Sequence, residues 1–590
     1  MLWDRHRQYI CDDVRHRLER HPWFSGNGNH PAQQVEEDHV YDYGLHLLNK
    51  ILMKSGKVLG DFPPMPLPQG LDGQPWEVID GNFLLAEQLD YDPIEQGHLV
   101  ENNLRMFNDE QRTAYNDIMD SVEHERGRLF FLHSAGGCGK TFVCNTIAAA
   151  TRSQEKIALC VASSGIASLL LEGGRTAHSC FKIPIPVTEA SVARIKKDSH
   201  MHEVLRQTKI IIWDEVPMQH KHAVHSVDRA LCDLLGNEMP FGGITVLFGG
   251  DFRQTLPVVP KGMRQQIVAA SLCRSYLWNN VQVHFLTRNM HLDQSDDSVR
   301  HAAWLLEIGA GTNLDDSEKV CSLAILEKSM ELIGIILKKV ELPETMCCNP
   351  NTLERLIELI YPNIQRGDRQ YFLERTILCC KNDDVDEMNA AILEKMPGRE
   401  KVLRSADTID LADEPQDDYQ PYPMEYLNSL TASGLPLSRL ALKVGCPVML
   451  LRNLDVSKGL CNGTRMIVRE IRSRALKCEI ISGDERFSGQ IVLIPRITLQ
   501  PSAENLPIPL KRRQFPVRLA FAMTINKSQG QSVKHVGLNL QTDVFSHGQL
   551  YVGLSRCTSA RRIHALQADG NHAKRVPNIV YKEIFRGLNL

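Results

Sequence analysis

The stretch from Phe130 to Thr141, FFLHSAGGCGKT, constrains this chain more than any other. An apolar run from Leu129 to Leu132 gives way to small residues, and Gly139-Lys140-Thr141 then opens the helix-like FVCNTIAAA. Strand, phosphate-binding loop and helix follow in that order. Small residues at Gly136, Gly137, Cys138 and Gly139 let backbone N–H groups close around phosphate oxygens. Lys140 reaches the β- and γ-phosphates, and the Thr141 hydroxyl is placed for Mg²⁺. The usual pattern opens on a glycine where this chain has Ser134, so Gly136 and Gly137 supply the flexibility instead.

The other half of a nucleotide site follows. KIIIWDEVPM (209–218) reads as a strand buried on both faces that ends in Asp214-Glu215. After a phosphate loop, such a pair holds Mg²⁺ through a water (Asp214) and orients and deprotonates the attacking water (Glu215). A third strand, ITVLFGGDFRQTLPV (244–258), ends near Gln254, an amide suited to sensing a γ-phosphate. VHFLTRNMHL (283–292) adds a strand with Arg288 and His291 at its end. Upstream, Asn108 or Asp109 caps a helix near whose start stands Gln111, whose amide matches the N6/N7 edge of adenine.

At 590 residues the chain has room for three or four domains. Net charge is −4, so a nucleic-acid partner has to be held by local basic patches. The 16 cysteines show no zinc spacing and read as reduced thiols of an intracellular protein. The N-terminus lacks an apolar signal core and is too acidic for a mitochondrial presequence, and no stretch is apolar enough to span a bilayer. We expect a protein that is neither secreted nor membrane-bound. Residues 1–100 read as an appendage with a helix near YDYGLHLLNKILMKSG and a proline-rich linker, 101–300 as the first α/β domain, and 301–345 as a helical insertion or linker.

The second half reads as an α/β domain over 346–440 and 511–590, interrupted at 441–510 by a small β-barrel with an Asn462-Gly463 hairpin signal. Hydroxyls and amides at strand ends are candidate nucleic-acid contacts: Ser163, Ser164, Thr176 and His178 in the first half, and Thr524, Asn526, Lys527 and Ser528 in the second. Lys511-Arg512-Arg513, directly before a buried strand, is expected to pair with carboxylates or phosphates. Arg556 follows LYVGLS, read as a strand, and would reach a γ-phosphate from the second domain.

The ordered set FNDEQ, SAGGCGKT, IIWDE, GGDFRQTLPV, LCNGTR, AMTINKSQGQS and LYVGLSR resembles the petite-integration-frequency (PIF) family of superfamily 1 DNA helicases, in the RecD-like group, over roughly residues 105–565. Further details, such as LLRNLDVSKGLCNGTR and KRRQFPV, are similar to the helicase part of Helitron transposons. The resemblance implies two RecA-like P-loop NTPase domains with parallel sheets and an inserted SH3-like β-barrel. It implies ATP and Mg²⁺ as cofactors, single-stranded and forked DNA as partners, and 5′–3′ translocation by a monomer or DNA-induced dimer. Family roles fall on Gln111 (adenine), Lys140 and Thr141 (phosphate and Mg²⁺), Asp214 and Glu215 (Mg²⁺ and hydrolysis), Gln254 (sensor) and Arg556 (arginine finger). His291 stands where the family has a phosphate-contacting arginine. The expected setting is repair, recombination, telomere maintenance or rolling-circle transposition, in the nucleus or also the mitochondrion. A second reading, a transposon-derived remnant that binds ATP and DNA with little turnover, rests on Ser134, His291 and the 314–340 insertion.

Overall fold

The computed structural model describes residues 2–20, 24, 34–54, 58–71, 73–76, 81–290, 296–312, 338–409, 422–432, 434–482, 484, 486–501, 506, 508–568 and 575–588. The first domain is built on strands β1 (Leu129–Ser134), β2 (Ile157–Ala162), β3 (Arg175–Thr176), β4 (Thr208–Asp214), β5 (Thr245–Gly250) and β6 (Val281–Leu286). They form one parallel sheet in the order β3-β2-β4-β5-β1-β6. Every residue of β1, β2 and β5 is buried, as strands covered by helices on both faces require. Asn82 caps a short helix at Phe83–Leu89 and bonds the His200 carbonyl oxygen, 2.8 Å, while α1 (Pro93–Met106) packs on the P-loop helix through Asn103 and Thr146, 3.0 Å apart. The first domain therefore begins before residue 101.

Helix α2 (Asp109–Glu123) starts where the sequence places it, with Asn108 as its cap. Upstream, the appendage has a small core of its own around Trp3, Leu18, Tyr43 and Trp76. Asp42 knits its loop together, accepting from the Gly70 N–H at 2.8 Å and the Trp76 indole N–H at 2.7 Å.

After the first domain come α3 (Asp296–Ala310), β7 (Lys338–Glu341) and β8 (Arg375–Cys379). Most of the 314–340 insertion lies outside the described residues. The chain then leaves the α/β pattern at β9 (Lys401–Arg404), β10 (Ala406–Ile409), β11 (Arg439–Leu442), β12 (Pro447–Leu450), β13 (Arg465–Ile471), β14 (Ala475–Ile481), β15 (Ile491–Pro495), β16 (Ile497–Leu499), β17 (Leu510–Gln514) and β18 (Val517–Leu519). A five-stranded antiparallel sheet, β15-β14-β13-β12-β18, is flanked by β10-β17-β16 and by the pair β11-β9. The all-β insert thus runs from Lys401 to Leu519, wider on both sides than 441–510. The Asn462-Gly463 turn does not join a tight hairpin: β12 pairs with β13 across a long connection that holds a 3-10 turn at Val456–Lys458.

The second domain resumes at β19 (Ala522–Thr524), β20 (His535–Leu540) and β21 (Ile563–Gln567), which with β8 form a parallel sheet, β19-β8-β20-β21. Insert and domain share one core, since Ile377 and Phe521 cluster with Val448 and Leu476. LYVGLS is helical, not extended: α4 (Gln549–Leu554) is buried on all sides, so its apolar run carries no periodicity to tell helix from strand. The last strand, β22 (Arg575–Asn578), pairs with β7. Beyond it, Tyr581, Ile584, Phe585 and Leu588 enter the core of the first domain. Among the described residues no helix is long and apolar enough to cross a membrane, and no cysteine is in a disulfide.

Candidate active site

The tips of β1, β4 and β5 converge where a parallel sheet receives ligands. β1 delivers the loop to the helix Lys140–Arg152, whose N-cap is Gly139. Gly137 and Gly139 carry the positive φ angles, 85° and 83°, which leave successive N–H groups facing inward. Ser134 is the last residue of β1, paired beside Leu286 in ordinary extended backbone, with its hydroxyl donated to the Ala135 carbonyl oxygen at 3.0 Å. Glycine's freedom is not required at that position, so Ser134 is no defect in the loop.

Lys140 donates to Asp214 and, at 3.2 Å, to Glu215. Burial alone would depress its ammonium, but the two carboxylates outweigh burial and hold its pKa above the ordinary lysine value. Burial pushes the Glu215 carboxyl above its usual range, with Lys140 opposing. Glu215 also has a left-handed backbone, φ 53°, uncommon for a non-glycine residue and frequent at functional sites. The acids already hold a cation, the Lys140 ammonium, so their pocket suits positive charge. Thr141, half-buried at the helix start, completes a donor set for Mg²⁺ of one hydroxyl and one carboxylate, leaving the remaining positions to water and phosphate. A β-carbon at Gly249 would lie 2.8 Å from Asp214 Oδ1 and 3.3 Å from Lys140 Cδ, so the strand beside the acids has to be bare there.

Gln111 is 1% exposed. Its Oε1 accepts from the Asn108 N–H at 3.1 Å and its Nε2 donates to the Cys138 carbonyl oxygen at 3.1 Å, so in this state the amide braces the phosphate loop. Burial raises the Cys138 thiol to about 11, which leaves it an unreactive packing group. Arg288 is exposed just beyond β6, and His291 lies outside the described residues. Between them stand residues whose part the sequence did not reveal: Asn289 Nδ2 donates to the Gly136 carbonyl oxygen at 3.2 Å, and the Met290 N–H to that of Gly137 at 2.8 Å.

The second domain closes over the tip of β5. Gln254 is buried, and its Oε1 accepts from Gln529 Nε2 at 3.3 Å while Gln529 Oε1 accepts from the Thr255 hydroxyl at 2.7 Å. Nearby, the Tyr551 hydroxyl donates to Asp251 at 2.9 Å, Arg253 bonds the other Asp251 oxygen at 2.7 Å, and His547 Nε2 donates to the Phe252 carbonyl oxygen at 2.9 Å. Arg556, 8% exposed, is held by the carbonyls of Val552 (3.0 Å) and Gln531 (3.2 Å) and by Ser555 Oγ (2.9 Å). Burial lowers its pKa, with Tyr551 and then Glu215 opposing. It therefore sits within electrostatic reach of Glu215 without pairing to it.

The candidate nucleic-acid contacts divide. Ser164 caps a short helix through the Ala167 N–H, Thr176 and Ser179 bond each other at 2.8 Å, and Ser528 is buried and donates to the Ile525 carbonyl oxygen at 2.7 Å. These hydroxyls serve their own turns, as does Ser163, which accepts from the Trp213 indole at 3.3 Å. Thr524, Asn526 and Lys527 are half-buried at the end of β19; the Asn526 Oδ1 has no partner among the described residues, and burial lowers the Lys527 ammonium. His178, its pKa lowered by burial, lines a cavity of ≈ 1300 Å³ between the first domain and the insert, together with Lys182, Lys196, Lys458 and Arg486. Arg512 is 1% exposed and pairs with Asp407 at 2.7 Å, as expected for the KRR run.

A phosphate loop on one parallel sheet, with an arginine brought toward it from a second, is the arrangement of two-domain RecA-like P-loop ATPases, and fold and site assign this chain to that class. Within it, residues 106–319 match the model of the PIF1-like helicase family, and residues 425–471 match the DNA helicase Pif1 2B domain. The human ATP-dependent DNA helicase PIF1 is 26% identical over 475 residues, covering 79% of this chain and 63% of that protein. Its zebrafish (Danio rerio) counterpart is 26% identical over 520 residues, covering 87% and 67%. The chain thus spans about two thirds or less of these curated relatives. Bacteroides Pif1 bound to ssDNA shares the fold, with a TM-score of 0.54 at 22% identity over 81% of this chain and 93% of that one.

Proposed function

We propose that this protein is an ATP-dependent DNA helicase that moves 5′ to 3′ along single-stranded DNA and unwinds the duplex ahead. The observation that carries the reading is the Lys140–Asp214–Glu215 cluster facing Arg556 across the cleft between the domains. The PIF1 names of the curated relatives support it. In this mechanism, bound ATP draws Lys140 away from the acids onto its phosphates, which releases Asp214 for the Mg²⁺ shell. Mg²⁺ held by Asp214 and Thr141 would neutralise phosphate charge. Glu215, freed of its lysine, orients and deprotonates the water, and Arg556 stabilises charge on the transferring phosphoryl group. Gln254 reports the phosphate to Gln529 of the second domain. The single strand passes by Asn526, Lys527 and the basic cavity at His178. A setting in DNA repair, recombination, telomere maintenance or rolling-circle transposition, nuclear or also mitochondrial, belongs to the same proposal.

The test is ATP hydrolysis by the purified protein with and without single-stranded DNA. Strong DNA stimulation is expected, and Lys140→Ala should lower it by about a hundredfold or more, on the order of 3 kcal/mol of transition-state stabilisation. Stimulation that survives in Lys140→Ala would overturn the proposal.

A further inference from the structure

The insert carries a charge arrangement that folding alone does not favour. Arg404 on β9 stands directly opposite Arg439 on β11, and both are exposed. Like charges across a strand pair repel. Arg496 adds to them, donating to the Arg404 carbonyl oxygen at 2.7 Å, and its own pKa is lowered by burial and by Arg513. Arg513, exposed on β17, pairs in register with Ala406, two residues from Arg404. Neighbouring acids are engaged elsewhere: Asp407 with Arg512, Glu470 with Arg472, Glu479 with Arg469. Among the described residues none of the four arginines has a carboxylate partner. The chain as a whole is net negative, at −4, so this concentration of positive charge is local.

We propose that this arginine face of the insert binds the phosphate backbone of duplex DNA, at a surface separate from the nucleotide cleft and the cavity at His178. The inference rests on the helicase reading for its biological sense. Duplex is favoured over single strand by the placement of aromatic rings. Single-strand surfaces combine charge with rings on which bases stack. Here the stacked pair Tyr422 and Tyr426, 5.3 Å apart, belongs to the segment whose Leu427 covers the inner face of β10 and β17. Alternation along β17 puts Leu510 and Arg512 on that inner face and Arg513 on the opposite one. Among the described residues, Arg404 and Arg439 face each other, Arg513 lies between Ala406 and Thr498, and the ring beside Arg496, that of Phe515, is fully buried, so these arginines present charge without an accessible ring, which suits rigidly spaced phosphates and carries no base readout.

The experiment compares binding of a forked duplex and of a bare single strand, over a salt series, for the wild type and for Arg404→Ala/Arg439→Ala/Arg513→Ala. Arg496 is kept because it bonds the backbone. For the fork, the dependence of log affinity on log salt should flatten by about 3, near 0.9 per lost phosphate contact. Single-strand affinity and single-strand-stimulated ATP hydrolysis should be unchanged, and removing opposed like charges should leave the melting temperature equal or higher. Equal losses on fork and single strand would overturn the proposal, as would fork binding identical to wild type. A lowered melting temperature with unchanged fork affinity would assign the arginines to a partner within the chain and overturn it too. Absence of DNA-stimulated hydrolysis in the wild type would instead count against the helicase reading, while the fork measurement would still report on the arginines.

Discussion

At Gly139 a β-carbon would lie 2.5 Å from Gln111 Nε2, on a backbone already left-handed at φ 83°. At Ser134, five residues earlier, the backbone is ordinary strand and the side chain is buried and bonded. The two positions therefore answer oppositely to substitution. Ser134→Gly should leave nucleotide affinity within about twofold while lowering stability by about 0.5–1 kcal/mol, the cost of glycine in a strand. Gly139→Ala should weaken nucleotide binding by about tenfold or more, since a left-handed alanine costs about 1–2 kcal/mol and its methyl would displace the Gln111 brace. Titration with a non-hydrolysable ATP analogue and a thermal melt check both, and a large loss of affinity in Ser134→Gly would refute the account. The sequence made Gln111, Lys140, Asp214 and Glu215 legible because each belongs to a short local pattern. It did not show that the Gln111 amide is occupied by the loop, because that bond joins segments 27 residues apart.

Between residues 525 and 531 a single turn joins three parts of the molecule. Its Asn526 and Lys527 stand at the end of β19, its Gln529 bonds Gln254 and Thr255 of the first domain, and the carbonyl of Gln531 holds Arg556. A change at the γ-phosphate can thus shift the arginine and the DNA side together. Gln529→Ala removes two bonds across the domain interface, about 1 kcal/mol each, so kcat for DNA-stimulated hydrolysis should fall by about tenfold or more, with KM for ATP nearly unchanged. Were Gln529 a DNA contact like its neighbours in sequence, single-strand affinity would fall instead. Sequence reading placed the neighbouring Asn526, Lys527 and Ser528 among strand-end donors but could not show what Gln529 bonds. It also took Leu550–Ser555 for a strand, because an element buried on every face shows neither the two-residue nor the 3.6-residue period. Strands β1, β4 and β5, short apolar runs ending in chemistry, were readable for the opposite reason.

For the molecule as a whole, the alternation of α/β with all-β sequence was legible, whereas the joining of the domains was not, since its contacts link residues 275 to 300 positions apart. The C-terminal segment fastens the two domains. Tyr581, Ile584, Phe585 and Leu588 lie in the first domain's core, and Glu583 pairs with Arg264 at 2.7 Å. His547 sits at the junction, with Nε2 donating to Phe252 of the first domain and Nδ1 accepting from the Tyr581 N–H at 2.8 Å. That pattern needs a neutral ring, and burial depresses the imidazole to about 4. A histidine with a lowered folded pKa contributes stability above its unfolded value of about 6.5, and the contribution is lost as pH falls from there toward 4. Protonation would place a hydrogen on Nδ1 as well as on Nε2 and break the bond to Tyr581. His547→Gln should therefore be less stable than wild type at pH 7.5, yet lose stability more slowly below pH 6.5, by about 1.4 kcal/mol per pH unit, the linkage of one proton. His133, His220 and His225 are also depressed to about 4, so both proteins will soften in acid, and the difference between the curves isolates His547. Parallel melting curves from pH 7.5 to pH 4 would show that the junction does not depend on the neutral ring.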